Sequence, residues 1–228
     1  MNKALSVLLA AALLTALLCA CGDVPAAQET PTPQPAAAPA PSETPAPEKA
    51  FSRGRIEGQV YESGFLSLRF TAPEGWRFVD DEELSQRMGL SLDIVGEDVF
   101  GDAAERAKTI AEQAVVCDMA ADAPDGSASV FLTVEDLEAA GNAALTDEQY
   151  AALLRAQLLS LTDLRYEAGE PETGSLAGRP CVTLLAQLPD FGMEQRFYLL
   201  REGKCMAQIS LTGTAGALPD ADELFTSL

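Results

Sequence analysis

The sequence contains no histidine in 228 residues. This absence excludes catalytic triads and Cys–His dyads that need an imidazole base, and it excludes zinc and haem sites with a histidine ligand. Basic residues are also scarce, because 35 acidic side chains outnumber 15 basic ones and give a formal charge of −20. Nucleic-acid binding is therefore disfavoured, since phosphate backbones are bound by a surface rich in Lys and Arg.

The N-terminus has the composition of an export signal. Lys3 is followed by an apolar run from Ala4 to Leu18, which is interrupted only by Ser and Thr. The run is shorter than the roughly 20 residues that span a bilayer, and it matches the central region of a secretory signal peptide. We predict that residues 1–20 are a lipoprotein signal peptide.

The junction Leu18-Cys19-Ala20-Cys21 resembles the bacterial lipobox. The resemblance implies cleavage after Ala20 and a diacylglycerol on the thiol of Cys21, often with a further acyl chain on the new amino group. A thiol is required because the thiolate is the nucleophile that takes the lipid. Two or three acyl chains anchor a protein stably, whereas one chain binds only marginally. We expect the protein to be anchored by this lipid at the extracytoplasmic face of the cell membrane. The alternatives to a lipoprotein signal are a plain secretory signal and an uncleaved membrane helix.

Residues 21–50 are predicted to be the lipidated Cys and a disordered tether. Positions 22–50 hold eight Pro and eight Ala, with no apolar periodicity. Such a segment cannot bury enough surface to offset its ordering entropy. At about 3.1 Å per residue it could extend roughly 90 Å, so we expect it to hold the following domain away from the membrane.

Residues 51–228 have the length of one domain, and most of the acidic side chains lie there. This acidity is typical of a soluble domain near an anionic envelope, and a cationic partner or Ca²⁺ is the alternative. Two groups of carboxylates could ligate Ca²⁺, but neither has the spacing of a calcium loop. They are Asp93, Glu97, Asp98 and Asp102 in one loop, and Asp118, Asp122 and Asp125 around a hairpin turn.

Periodicity and turn residues predict a strand-rich domain with a few helices. Leu66, Leu68 and Phe70 alternate with Ser67 and Arg69, which predicts a strand with one buried face. The predicted strands are 58–62, 65–71, 76–78, 114–121, 127–135, 180–188, 194–200 and 204–212.

Capping residues predict four helices. The strongest begins at Thr146, because Gln149 completes a capping box and an apolar stripe follows at helical spacing. A helix after Asp80, ending at Gly89, and one from Asp102 to Glu112 are also predicted, with a last helix from Asp220 to the end. The apolar stripe consists of Tyr150, Leu153, Leu154, Leu158 and Leu161.

The order of these elements resembles the PsbP-like fold, and more closely the small lipoproteins of that fold in anaerobic Gram-positive bacteria. The matching segments are 70–76, which reads Phe-Thr-Ala-Pro-Glu-Gly-Trp, and 81–84, 116–120 and 146–150. The resemblance covers most of residues 57–228. It implies an α+β fold, with an antiparallel β-sheet covered by helices as an α/β/α sandwich. It also implies a docking or accessory module without catalysis, and it supplies no functional residues.

Three cysteines remain in the domain, so at least one is a free thiol. If the turns of the last three-strand meander centre near 190.5 and 202.5, Cys181 and Cys205 lie two strands apart, too far for a disulfide. We predict three buried thiols that act as small hydrophobes. A disulfide through Cys117 and a reactive thiol are the alternatives.

Other candidate groups are few. Trp76 is predicted to be a core residue, with a ligand platform as the alternative. Arg69, Arg196 and Arg201 are predicted to face solvent or form ion pairs, with an anion pocket as the alternative. Neither Lys108 nor Lys204 lies in a Ser-x-x-Lys pattern, and phosphate-binding glycine loops are absent.

These observations predict a noncatalytic lipoprotein without a cofactor. Cys21 would bind it to the membrane, and its domain would bind another envelope protein. The alternatives are a small-ligand or cation-binding sensor and, with less support, a hydrolase that uses carboxylates, which requires no histidine.

Overall fold

Twelve strands form the framework of the chain that the computed structural model describes, residues 49–87 and 112–228. In chain order they are β1 (Arg55–Glu57), β2 (Val60–Ser63), β3 (Leu68–Thr71), β4 (Arg77–Phe78), β5 (Val115–Asp122), β6 (Ala128–Asp136), β7 (Glu167–Ala168), β8 (Glu172–Leu176), β9 (Arg179–Leu188), β10 (Met193–Glu202), β11 (Cys205–Thr214) and β12 (Phe225–Ser227). The helices are α1 (Asp147–Ser160) and α2 (Ala221–Leu224), with a 3₁₀ turn at Pro189–Phe191 and helical residues at 81–87 and 112–114.

The strands form two antiparallel sheets. The small sheet has the order β1–β2–β3–β12, and the large sheet has the order β4–β5–β6–β11–β10–β9–β7, with β8 also paired to β9. The predicted hairpin of β5 and β6 and the predicted meander of β9, β10 and β11 are both present. The hairpin and the meander form one continuous sheet, because β11 pairs with β6 along nine residues of each strand.

The two faces of the large sheet are covered differently. Side chains alternate along β6, so Val130, Leu132 and Val134 pack with the small sheet. Glu135 points to the opposite face, where its carboxylate accepts a hydrogen bond from the hydroxyl of Tyr150 in α1. The core therefore has two halves, one on each side of the large sheet.

Helix α1 begins where its capping box predicts. The Thr146 hydroxyl accepts a hydrogen bond from the Gln149 amide at 3.2 Å, and the Gln149 side chain accepts one from the Thr146 amide at 2.9 Å. Tyr150, Leu154 and Leu158 are fully buried against β9 and β10. Leu153, which the stripe also included, is only half-buried.

The small sheet confirms the predicted alternation along residues 66–70. Leu66, Leu68 and Phe70 are fully buried, while Ser67 and Arg69 are exposed. The strand itself is shorter than predicted, because Ser67 has a φ of +52° and belongs to the turn before β3.

The prediction that the last helix runs to the end of the chain is wrong. Asp220 caps the helix as expected, but α2 has only four residues. The next three residues form β12, in which Phe225 pairs with Phe70 of β3 and their rings lie 5.1 Å apart. Pairing with an existing strand buries Phe225 and completes the small sheet.

The α+β class and the antiparallel sheet are present, but the α/β/α sandwich is not confirmed. Helical residues 81–87 lie on the same face as α1, because Leu84 packs with Phe131, which shares that face of β6 with Glu135. The small sheet covers the other face, with the short α2 beside it. The predicted helix 102–112 and the helix end at Gly89 lie outside the described residues, apart from the helical position 112.

Ion pairs fix helical residues 81–87 to the large sheet. The Asp80 side chain accepts a hydrogen bond from the Glu83 amide at 2.9 Å, which caps the helix. The buried Arg87 guanidinium contacts Asp122 of β5 at 2.6 Å and Glu83 at 2.5 Å. Arg77 of β4 donates to Glu83 at 2.8 Å and to Asp122 at 3.3 Å. Hydrogen bonds from Arg77 and Arg87 lower the pKa of Glu83 to about 2.

This network predicts an acid-sensitive contribution to stability. Glu83 has a lower pKa in the folded chain than its ordinary value of 4.5, so its stabilisation is complete above that value and is lost as the pH falls toward 2. Glu83→Gln should lower the free energy of unfolding by roughly 1 kcal/mol at pH 7. The difference from the unsubstituted chain should vanish near pH 2, as measured by urea unfolding across pH.

Glu82→Gln is the matched control for this prediction. Glu82 is exposed and forms no ion pair with the described residues, so its substitution should change the unfolding midpoint little at any pH. Equal pH dependence in the two variants would contradict the assigned role of Glu83.

Candidate functional site

A buried carboxylate lies where the predicted tether meets the domain. β5 has a register shift between Cys117 and Met119, which directs the Asp118 side chain toward the small sheet. Its carboxylate accepts a hydrogen bond from the Tyr61 hydroxyl at 2.5 Å and one from the Gly54 amide at 3.0 Å. Asp118 therefore connects the large sheet, the small sheet and the start of the domain, and we call this contact the Asp118 junction.

Gly54 is the residue that the Asp118 junction requires at its position. A Cβ atom there would lie 2.2 Å from the ring of Tyr61. The ring cannot move aside easily, because Tyr61 is only 1% exposed. Burial, followed by the negative charge of Asp118, raises the pKa of Tyr61 above its ordinary value, so the hydroxyl remains a hydrogen-bond donor at neutral pH.

Arg53 extends the junction to a second element. Its guanidinium lies 3.7 Å from Asp118 and 3.0 Å from Asp81, at the start of helical residues 81–87. It also donates to the carbonyl oxygen of Cys117 at 3.3 Å. Residues 53 and 54 are consequently fixed to both sheets and to one helix, which sets the point where the preceding chain leaves the domain.

Two of the concave regions on the surface of the described residues differ clearly in the character of their walls. The first, of about 430 Å³, lies beside residues 49–51 and has mainly apolar walls. The second, of about 580 Å³, lies beside β8, β9 and α2. Its charged lining residues are Glu170, Glu172, Arg196, Asp220 and Asp222.

The second region, which we call the acidic groove, favours a cationic group over an anion. Two of its carboxylates also hold the local structure, since Asp220 caps α2 by accepting from the Asp222 amide at 3.0 Å and Asp222 accepts from the Ala177 amide at 2.9 Å. Arg196 lies among these acids, which makes an anion pocket there unfavourable.

The other two arginines singled out in the sequence form ion pairs, as predicted. Arg69 donates to Glu62 across the small sheet at 2.6 Å. Arg201 donates to Asp147, in the first turn of α1, at 2.5 Å. Both pairs are local contacts between neighbouring elements.

All three domain cysteines are buried and free. Burial raises the pKa of Cys181 to about 11 and also raises the pKa values of Cys117 and Cys205. Such thiols are protonated at neutral pH and pack as small hydrophobes.

The predicted centre of the turn before Cys205 is wrong by one residue, so the predicted cross-strand partner of Cys205, residue 200, is wrong by two. Cys205 pairs with Glu202, so the turn between β10 and β11 centres on Gly203 and Lys204. Gly203 adopts a φ of +57°, which favours glycine and allows a two-residue turn. The turn residues were visible in the sequence, but the length of the loop was not.

The three carboxylates that the sequence placed around the hairpin turn have separate structural roles. Asp118 forms the junction, Asp122 pairs with Arg87, and Asp125 is exposed in the hairpin turn, where it accepts from the Ser127 amide at 3.0 Å. Trp76 is buried in the core, as predicted. Within residues 49–87 and 112–228, no three ligating side chains are placed to hold a metal ion.

Several predicted residues lie outside the described ranges. They are Cys21, Asp93, Glu97, Asp98, Asp102 and Lys108. The described helices include none with the length and hydropathy of a membrane span.

The Asp118 junction was not predicted from the sequence, because the β-bulge that orients Asp118 has no clear signature in a single sequence. The dipeptide Arg53-Gly54, which contributes a cation and a residue without a side chain, was the local feature that pointed to it.

Comparison with known proteins gives a distant structural similarity. No protein-family model matches the chain, and no curated protein is similar to it in sequence. The solution structure of cyanobacterial PsbP (CyanoP) from Synechocystis sp. PCC 6803 matches with a TM-score of 0.39 and 11% sequence identity. The match covers 73% of this chain and 83% of that chain. It lies in the fold family that the sequence resembles, but at this TM-score it carries no argument about function.

Proposed function

We propose that this protein is a membrane-anchored extracytoplasmic lipoprotein whose PsbP-like domain is a noncatalytic binding module for another envelope protein. The observation that carries the proposal is the lipobox-like sequence at residues 18–21, directly after an apolar run of signal-peptide length. A Pro- and Ala-rich spacer then separates Cys21 from the folded domain.

The Asp118 junction supports the role of a tethered module. The residues that receive the spacer are attached to the domain by hydrogen bonds as well as by the covalent chain. Gly54 is held by Asp118, and Arg53 contacts Asp81 as well. Residues 53 and 54 are therefore secured to β5 of the large sheet, which gives the anchored domain a defined point of attachment.

The use of the buried carboxylates favours binding over hydrolysis. A carboxylate hydrolase needs one acid and one base directed into a cleft. Asp118 is bound by Tyr61 and Gly54, Asp122 by Arg77 and Arg87, and Glu135 by Tyr150 and Asn142. Each of these groups contributes to the packing of elements against the large sheet.

Charge indicates the kind of protein partner. The chain carries a formal charge of −20, and the acidic groove concentrates carboxylates in a concave surface. Complementary charge speeds association and suppresses wrong partners. A partner with a basic surface is therefore favoured.

The lipidation proposal predicts a change of fraction. Cys21→Ser should move most of the protein from the membrane pellet to the soluble fraction, because the thiol that takes the lipid is absent. The measurement is immunodetection after ultracentrifugation of cells that express the full chain. Cys19→Ser is the matched control and should stay in the pellet. If Cys21→Ser also pelleted, an uncleaved membrane helix would replace the lipid anchor.

The binding proposal predicts one enriched partner. Residues 22–228 would be immobilised and exposed to crosslinked envelope extract of the source organism, with a charge-matched acidic protein as the control. Mass spectrometry should identify a single protein that is enriched on this chain and released as salt rises, because salt screens charge complementarity. Equal recovery on both proteins would contradict specific binding and favour a small-ligand sensor, which ligand-dependent melting would reveal.

A further inference from the structure

The first described residues form one wall of an apolar cavity, which we call the junction cavity. Its volume is about 430 Å³, within the range of roughly 300–1,000 Å³ that is common for small-molecule sites. The apolar lining residues are Ala50, Phe51, Ala114, Val116, Val134 and Cys205. The polar lining residues are Lys49, Gln113, Asp136, Gly203 and Lys204.

The apolar walls come from four separate parts of the chain, the residues around Phe51, Val116, Val134 and Cys205. Val116 and Val134 are cross-strand partners on β5 and β6, and they form the floor of the cavity. Phe51 closes one side, and its ring packs edge-on against the buried ring of Phe65 at 5.3 Å. Val116 remains 37% exposed although it lies within the large sheet, because it faces this open cavity.

The charges at the cavity differ from those of the rest of the molecule. The chain has four lysines in all, and two of them line this cavity. Lys204 is paired, with Asp136 and Glu138 both at 3.2 Å. Lys49 has one contact in the described ranges, a hydrogen bond of 3.5 Å to the Ser67 hydroxyl, and no carboxylate partner there. Among the described residues, an exposed cation without a carboxylate partner therefore lies at the edge of an apolar cavity in a strongly acidic protein.

We propose that the junction cavity binds one fatty acid, with its alkyl chain against Val116, Val134 and Phe51 and its carboxylate beside the Lys49 ammonium. An apolar body with one anionic end fits both features, because ligand sites are mainly apolar with few polar groups that fix orientation. A cationic amphiphile would leave Lys49 opposed by a like charge. The proposal does not depend on lipidation of Cys21, and it assigns a ligand in addition to the protein partner.

The test is calorimetric titration of residues 22–228 with dodecanoate, below the concentration at which it forms micelles. Saturable binding of one molecule per chain is expected. Hexanoate should bind at least roughly tenfold more weakly because it buries less apolar surface. Dodecyltrimethylammonium, with a similar alkyl chain and the opposite charge, should also bind at least roughly tenfold more weakly.

Two variants locate the binding in the cavity. Val116→Glu places a charge on the apolar floor and should abolish binding. Lys49→Glu changes an exposed residue and should leave the fold intact. This substitution should weaken the binding of dodecanoate at least roughly tenfold. Leu185→Glu is the matched control, because Leu185 is a strand residue that is 36% exposed and lies outside this cavity. The Leu185→Glu variant should bind dodecanoate as tightly as the unsubstituted chain does.

Three binding results would overturn the proposal. They are no saturable dodecanoate binding, equal affinity for dodecyltrimethylammonium, and equal affinity in Lys49→Glu and the unsubstituted chain. Self-association would also overturn the proposal if the ligand-free protein associates with itself and Val116→Glu abolishes that association. A second copy of the chain would then occupy the cavity.

Discussion

The contact on which the rest of this structure depends is the set of hydrogen bonds to the buried carboxylate of Asp118. The charge is compensated by two neutral donors, the Tyr61 hydroxyl and the Gly54 amide, and by the more distant Arg53 guanidinium. A buried carboxylate without such partners would cost several kcal/mol. The contact therefore holds the small sheet, the large sheet and the start of the domain in one arrangement.

The position of the junction connects the proposed anchor to the proposed ligand site. Residues 49–51 line the junction cavity, and residues 53 and 54 are fixed by Asp118. The wall formed by Phe51 thus lies only three residues from a fixed backbone position. If Cys21 carries a lipid, the end of the domain that receives the tether is also the end that carries the apolar cavity. Attachment to the membrane and binding of an amphiphile would then use the same end of the molecule.

Local signals in the sequence predicted the elements whose stability is local. The capping box at Thr146 and the apolar stripe of α1 lie within one segment, as does the turn of the β5–β6 hairpin. The strands β1, β7, β8 and β12 were not predicted, because each has two to five residues and is stabilised by its partner strand. The same reason explains why the terminal helix was predicted too long, since the pairing of Phe225 with Phe70 joins residues far apart in the chain.

The candidate site was less predictable than the fold. The lipobox-like pattern is a contiguous motif, so sequence alone was enough to propose Cys21. The Asp118 junction joins residues separated by 57 and 64 positions and depends on a bulge in β5. The junction cavity likewise combines the beginning of the domain with β5, β6 and the turn before β11. Neither arrangement could be inferred until the register of the two sheets was known.

Hydrogen exchange at the Gly54 amide tests the central claim most directly. Because this amide donates to a buried carboxylate, we predict protection comparable to that of the amides in the β6–β11 ladder of residues 22–228. Protection of that size would show that the domain is held from its first residues by Asp118. Exchange of the Gly54 amide at the rate of an unstructured peptide, while the β6–β11 ladder stays protected, would contradict the account.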